Sequence, residues 1–378
     1  PQPESALPGP GLSDPLIVNE LVVVGSDSGM LRAFDEATGK LVWSYAHGMR
    51  IYARPESDGK RVFAISESGG AVAVMRHDGS LAWSQPSQLG FGAVATCAEA
   101  ELVFLAGNDG IVRALDTSSG KERWATNVVN DAPPDPPGFN GNRARFQGKP
   151  ARPTAAACDG KWIFVSLFDQ SRVVGFDIAD GTKKFDYQAG GWVFHAPLID
   201  GDRVFIGGQD KVLYCIDRSS SKLAWKFRTK GRIESSAAVH GEKVYIGSCD
   251  GAFSCVNRDT GEDIWTFDIQ TDGQQTTAIY SDPLILDDNV CFAAGEGHVY
   301  ALDLNNGKLR WKFRPLEDSE LFTSPASDGR FIYVSSRPQF NNMGQAVSGK
   351  AALIAIDPYF QAIDPFAPRN RQVGPARD

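Results

Sequence analysis

Asp14, Arg54, Arg152 and Asp282 each stand directly before a proline, with Ala196 and Ser324 in the same setting and Ser236 in an equivalent one. An aromatic ring precedes four such positions by two residues, as Tyr52, Phe194, Tyr280 and Phe322. Trp192, His195 and Glu234 fall in the same stretches. Mixed aromatic and charged groups gathered at one concave place are what a small-ligand site requires. Arg54 and Arg152 are suited to hold carboxylates in bidentate fashion, and Trp192 to stack on a planar ring. The plainer alternative is that Arg54, Arg152 and Asp282 neutralise one another around bound water.

Templates for catalysis find less support. The five histidines, at 47, 77, 195, 240 and 298, show no HExxH spacing, and the chain has no GxSxG elbow and no P-loop. Gly25-Ser26-Asp27-Ser28-Gly29 and Gly107-Asn108-Asp109-Gly110 read as hairpin turns, with no helix following to receive a phosphate. The six cysteines, at 97, 158, 215, 249, 255 and 291, form no CxxC, vicinal pair or haem-attachment site. They are too dilute for a disulfide scaffold and read mostly as small buried hydrophobes within strands. No catalytic residue and no metal ligand is assigned.

The elements that must position the ligand-type residues come from a repeat. Val299-Tyr300-Ala301-Leu302-Asp303, followed by Asn306-Gly307-Lys308 and Trp311, returns along the whole chain. The pattern ends at Asp35, Met75, Asp116, Asp177, Asp217, Asn257, Asp303 and Asp357, in steps of 40, 41, 61, 40, 40, 46 and 54 residues. Eight residues after the first seven come Trp43, Trp83, Trp124, Phe185, Trp225, Trp265 and Trp311, which account for six of the eight tryptophans. A period near 40 made of short strands and tight turns predicts an all-β, eight-bladed β-propeller with four-stranded antiparallel blades. The six tryptophans are expected to dock one blade on the next, and the repeated Asp to cap its own turn. The ligand-type residues then lie where the inner strands begin, around the mouth of the central channel.

Ser324-Pro325-Ala326, Asp328-Gly329 and Ile332-Tyr333-Val334, taken with Tyr300-Ala301-Leu302-Asp303, Asn306-Gly307-Lys308 and Trp311, resemble the PQQ-like (quinoprotein-type) β-propeller repeat. The resemblance spans residues 12–360. That family includes quinoprotein alcohol dehydrogenases, the outer-membrane assembly lipoprotein BamB and sensor domains, so the resemblance implies the fold more than the function. Its dehydrogenases use a vicinal disulfide, a Ca²⁺ held by Glu, Asn and Asp, and an Asp base. This chain has no Cys-Cys pair, and no such Glu/Asn/Asp set stands out in it. The BamB-like members imply an exported scaffold, periplasmic or extracytoplasmic.

Two departures matter for organisation. Unit four carries Phe185 in place of Trp, and unit eight has no fourth strand of its own after Asp357. The N-terminal segment 1–11 is expected to complete the last blade, around Glu4–Leu7, with the propeller over 12–360 and an irregular Pro-rich tail over 361–378. The surplus length of the repeat lies in 127–150, 268–279 and 336–350. All three are outer-to-inner or second-to-third connections, and in a four-stranded blade these share one face of the disc. Such insertions build binding surfaces. The longest carries Phe139, Arg143, Arg145 and Phe146 beside a run of prolines, suited to an acidic or extended peptide.

A net charge of −8 disfavours nucleic acid or an anionic membrane as the main partner. No apolar run reaches the length of a membrane helix. The chain opens Pro-Gln-Pro-Glu-Ser, so a signal or anchor upstream would not be visible. The expectation is therefore a monomeric, non-catalytic binding or scaffold propeller that takes a peptide or protein on its loop-rich face, without a cofactor. The alternatives are a quinoprotein oxidoreductase using PQQ and Ca²⁺ at the channel mouth, and the sensor domain of a larger receptor.

Overall fold

The computed structural model describes residues 5–6, 11–66, 68–128, 150–269, 277–317, 319–340, 346–348 and 351–359. Eight antiparallel sheets follow one another along the chain, the first seven with their strands in sequence order from the channel outward. Blades 1 to 7 cover 16–46, 56–85, 91–127, 153–188, 198–228, 238–268 and 284–313. Blade 5 shows the unit: Leu198–Asp200, Arg203–Gly208, Val212–Asp217 and Lys222–Arg228. In blade 8, Ala326–Ser327, Ile332–Phe340 and Ala352–Ile356 are followed outward by Ser5–Ala6, with Ser5 opposite Leu353 and Ala6 opposite Ala352. The two ends of the chain therefore share one sheet.

Burial follows the pattern that sheets stacked face to face require. Second strands such as Leu21–Gly25 and Leu102–Gly107 are buried throughout. Outer strands alternate, so that in Lys222–Arg228 only Trp225 is buried. The core is a series of interblade layers. Phe104 and Ala106 of blade 3 meet Ile163, Val165 and Phe176 of blade 4, and Phe253 stacks on Phe292 at 4.2 Å between blades 6 and 7.

Four tryptophans, Trp43, Trp83, Trp124 and Trp225, latch their blade to the next by two contacts. The indole N–H donates to a backbone carbonyl at the third-to-fourth turn of the following blade: Trp43 to Arg76 at 2.6 Å, Trp83 to Thr117 at 2.9 Å, Trp124 to Ile178 at 2.8 Å and Trp225 to Arg258 at 2.9 Å. The glycine of that turn lies flat on the indole. A Cβ at Gly79, Gly120, Gly181, Gly261 or Gly307 would come within 2.8 Å of Trp43, Trp83, Trp124, Trp225 or Trp265. These glycines also have φ between +68° and +72°, so both backbone and contact select the residue. The repeated Asp holds the same turn, for example Asp217 Oδ1 accepting from the Ser220 N–H at 2.8 Å and Asp303 Oδ1 from the Asn305 N–H at 2.9 Å.

Two latches deviate, each for a visible reason. Where Phe185 replaces Trp, the facing turn carries Ser221 at φ 55° in place of glycine, and the Ser221 hydroxyl accepts from the Asp186 N–H at 3.2 Å. The smaller ring leaves room for a side chain. At blade 6 the Leu304 carbonyl is taken by the Tyr245 hydroxyl at 3.0 Å, and the Trp265 Nε1 has no partner.

The two kinds of latch should separate on substitution. Trp225→Ala and Trp265→Ala each remove a packed ring and should cost about 3–5 kcal/mol. Trp225→Phe keeps most of the ring and should cost about 1 kcal/mol more than Trp265→Phe, because only Trp225 gives up a hydrogen bond. Urea unfolding of the four variants measures this, and equal costs for the two Phe variants would contradict the bonding pattern.

Candidate functional site

Around the channel mouth the starts of the inner strands of blades 5 to 8 and blade 1 meet one another through the residue before the proline or its equivalent. The Ser236 N–H donates to Asp282 Oδ1 at 2.6 Å, the Asp282 N–H to the Ser324 hydroxyl at 3.0 Å, and the Ser324 N–H to Asp14 Oδ1 at 3.0 Å. The Ser236 hydroxyl donates back to the Ala196 carbonyl at 3.0 Å, and the Ser166 hydroxyl to the His195 carbonyl at 2.7 Å. Blades 4 to 8 and blade 1 are thus stitched in turn. Toward the other end of the inner strands, Thr96 links blades 3 and 2, donating to Glu56 and to the Ser57 carbonyl, each at 3.2 Å.

Ionisable groups crowd this ring. His195 Nδ1 lies 3.5 Å from Asp282 Oδ1, and both side chains are about one-third exposed, at 37% and 36%. Burial opposes charge on His195, but the hydrogen bond and charge of Asp282, aided by Asp14 and Glu234, outweigh it and raise the imidazole pKa. Burial likewise opposes charge on Asp282, and His195 with the Ser236 N–H holds its carboxyl below the usual range. Asp14 has no such cation in contact. Burial, then the Asp282 charge, push it up to about 6 against the Ser324 N–H, Arg54 and His195. Arg54 is exposed and lies within electrostatic reach of Asp14 and Glu56.

Outside this ring, on the face bearing the long connections, two aromatic groups flank the mouth. Phe168 lies 4.8 Å from Trp192 and 4.5 Å from Phe194, ring centre to ring centre. Tyr280 and Phe322 lie 5.1 Å apart, with the Arg337 guanidinium 3.7 Å above Phe322. All five rings are half-buried, and Arg337 is exposed and paired with Glu320 at 3.2 Å. Met49, Tyr52 and Leu89 are exposed in connections on the same face, at 47%, 41% and 56%.

The structure therefore brings together Trp192 with Phe194, Tyr280 with Phe322, and His195 with Asp282. Glu234 accepts from the Gln209 amide and faces Arg232 at 3.5 Å. Arg54 and Arg152 do not pair with Asp282, whose partner is His195. Arg152 precedes the blade 4 inner strand Pro153–Cys158, whose register shifts between Pro153 and Ala155. Its N–H donates to buried Asp169 at 3.1 Å. Phe168 and Arg337 escape a reading based on inner-strand starts because Phe168 comes from a second-to-third connection and Arg337 from the long second strand of blade 8. Phe139, Arg143, Arg145 and Phe146 lie outside the described residues.

Ca²⁺ of a quinone cofactor needs several convergent oxygen donors. Among the described residues no group of three or more His, Cys, Asp or Glu side chains converges to hold a metal. Asp14 and Asp282 already spend an oxygen each on neighbouring backbone N–H groups.

A family model described as outer membrane protein assembly factor BamB, of the PQQ-like repeat type, matches residues 4–134 and 108–359. The chain belongs to this family. Among solved structures, BamB from Moraxella catarrhalis superposes with a TM-score of 0.69 at 16% identity, over 96% of this chain and 98% of that one. A computationally designed protein, Ika8, superposes with a TM-score of 0.71, also at 16% identity, over 93% of this chain and 98% of its own. At that identity the two structures speak for the fold alone. Direct sequence comparison with curated proteins finds no match. Among the described residues no helix is long and apolar enough to cross a membrane.

Asp14 and His195, both raised, give pH dependence of one sign, and the lowered Asp282 gives the other. The raised pKa of Asp14 means that the folded chain keeps a proton which the unfolded chain releases, so its contribution to stability falls as pH rises from about 4 to about 6. Asp14→Asn, which can still accept from Ser324, should therefore be relatively more favourable at neutral pH than below that window. Denaturant unfolding at the two pH values tests this. The His195–Asp282 pair contributes between its two pKa values: it is lost as pH rises through the raised imidazole value and as pH falls through the lowered Asp282 value. In Asp282→Asn the His195 titration, followed by NMR of its ring protons, should shift to lower pH.

Proposed function

We propose that this chain is a non-catalytic binding propeller of an extracytoplasmic compartment, holding a protein or extended peptide on the face that bears its long connections. The observation that carries this reading is the pair of half-exposed aromatic groups flanking the mouth, Phe168–Trp192–Phe194 and Tyr280–Phe322 under Arg337. Aromatic rings and arginine are the side chains that anchor protein interfaces, because they bury much surface while losing few rotamers. Exposed apolar residues elsewhere, such as Leu81, Leu223 and Leu309, are spaced singly on the outer strands of separate blades. Membership of the BamB family supports the compartment and a role in assembly of outer membrane proteins. The channel carboxylates serve the ring in this reading, and no step of chemistry is asked of them.

Photo-crosslinkers placed at Trp192 and Phe322 should give adducts of discrete mass in cells, whereas crosslinkers at Lys121 and Ser219 on the opposite face should give none. Combining Trp192→Ala with Phe322→Ala should weaken capture of the same partner by about tenfold or more while leaving the unfolding temperature nearly unchanged. Adducts from the opposite face alone would overturn the assignment. So would a quinone absorbance shift together with alcohol-dependent dye reduction after addition of PQQ and Ca²⁺.

A further inference from the structure

Cys97 and Cys158 are the last residues of the inner strands of blades 3 and 4, Phe91–Cys97 and Pro153–Cys158. The two strands run side by side in the same direction, and their backbones touch near the start. A Cβ on Gly92 would fall on the carbonyl oxygen of Pro153. Five residues beyond that contact, on each strand, stands the cysteine. Each strand absorbs one register shift near its beginning, between Phe91 and Ala93 and between Pro153 and Ala155, so the two cysteines stay level. Extended chains advance equally per residue, which is why a shared start gives a shared end.

The side chains also face each other. Alternation turns Ala93, Ala95 and Cys97 into the core between blades 3 and 4, and Ala156 and Cys158 pack against that same core from the other side. The two thiols are near enough to interact, and burial together with Cys97 pushes the Cys158 thiol up to about 12. The other cysteines have no such arrangement. Cys215, Cys255 and Cys291 belong to three separate cores, and Cys249 lies in a turn of blade 6.

We propose that Cys97 and Cys158 are joined as a disulfide across the interface of blades 3 and 4 when the chain folds in an oxidising compartment. The proposal shares with the functional reading only the compartment, and is independent of any partner. In forming the bond the two thiols give up two protons and two electrons, and a disulfide oxidant such as oxidised glutathione is reduced to two thiols. A thiol held so firmly protonated exchanges slowly. Burial of Cys97 in the interblade core shields the bond from reduction once it has formed. It would link positions 61 residues apart, enclosing the connection 129–149, and restrict the unfolded chain accordingly.

The test is to refold the full chain with glutathione in oxidised and in fully reduced buffer. Thiols titrated in denaturant should fall from the six of the sequence to four after oxidised refolding. Non-reducing peptide mapping should recover the Cys97 peptide bonded to the Cys158 peptide. The oxidised protein should melt several degrees above the reduced one, and the Cys97→Ala/Cys158→Ala double variant, which keeps the packing of a small core residue, should show no such difference. Six free thiols after oxidised refolding, or a linkage through any other cysteine, overturns the proposal. Loss of partner capture with this linkage intact would count against the functional reading alone.

Discussion

The structure depends on one contact repeated around a circle: an indole lying on a glycine of the next blade and donating to a carbonyl of the same turn. A single blade has no face that is both apolar and covered, so it cannot be stable alone, and each latch makes one blade's fold conditional on the next. The glycine is required twice over, by its left-handed backbone and by the ring pressed against it. The correlated change at Phe185 and Ser221 shows the same constraint from the other side, since losing the indole removes the need for a bare Cα. An open chain of latches would leave two raw ends. The ring avoids this by placing Ser5–Ala6 beside Ala352–Ile356 and by sharing a core among Val22, Val24, Phe34, Tyr333 and Leu353 at the seam.

Near the axis the blades taper and cannot hold aromatic latches, and polar stitching takes over. Short side chains before the prolines pass hydrogen bonds from one inner strand to the next, and in blades 7 and 1 the acceptors are carboxylates. That choice brings Asp282 and Asp14 close enough to oppose each other, and His195 supplies the compensating charge for one of them. The ionisable character of the mouth is in this sense a by-product of closing the ring. Charge clustered in a cleft invites a catalytic reading. Here the hydrogen bonds that the carboxylates already make favour a structural one.

What could be read from the residues divides along the same line. The blade count, strand pattern and turn chemistry were legible, because Asp303, Gly307 and Trp311 have counterparts at nearly every 40-residue step. The list of mouth residues was legible too, but their partners were not. His195 meets Asp282 across two blades, and 87 residues of chain carry no local signal of that pairing. Arg152 bonds through its backbone N–H to Asp169, which no local pattern marks, and Phe168 entered the aromatic group from a hairpin with no proline to mark it. The indole of Trp265 looks like the others in sequence, yet Tyr245 has taken its acceptor.

The latch also explains why binding groups collect where they do. Every latch uses the third-to-fourth turn of a blade, and those turns all lie on one face of the disc. Length or bulk added there would strike an indole or move the Asp that holds the turn, so that face is committed to architecture. The outer-to-inner and second-to-third connections belong to the other face, away from the turns that the latches use. They can lengthen, as at 127–150 and 336–350, or gather rings, as Phe168, Trp192, Tyr280 and Phe322 do, without loosening the ring. The division of the disc into a fixed face and a free face follows from the contact that builds it, and the free face is where a partner can be accommodated at least cost to the fold.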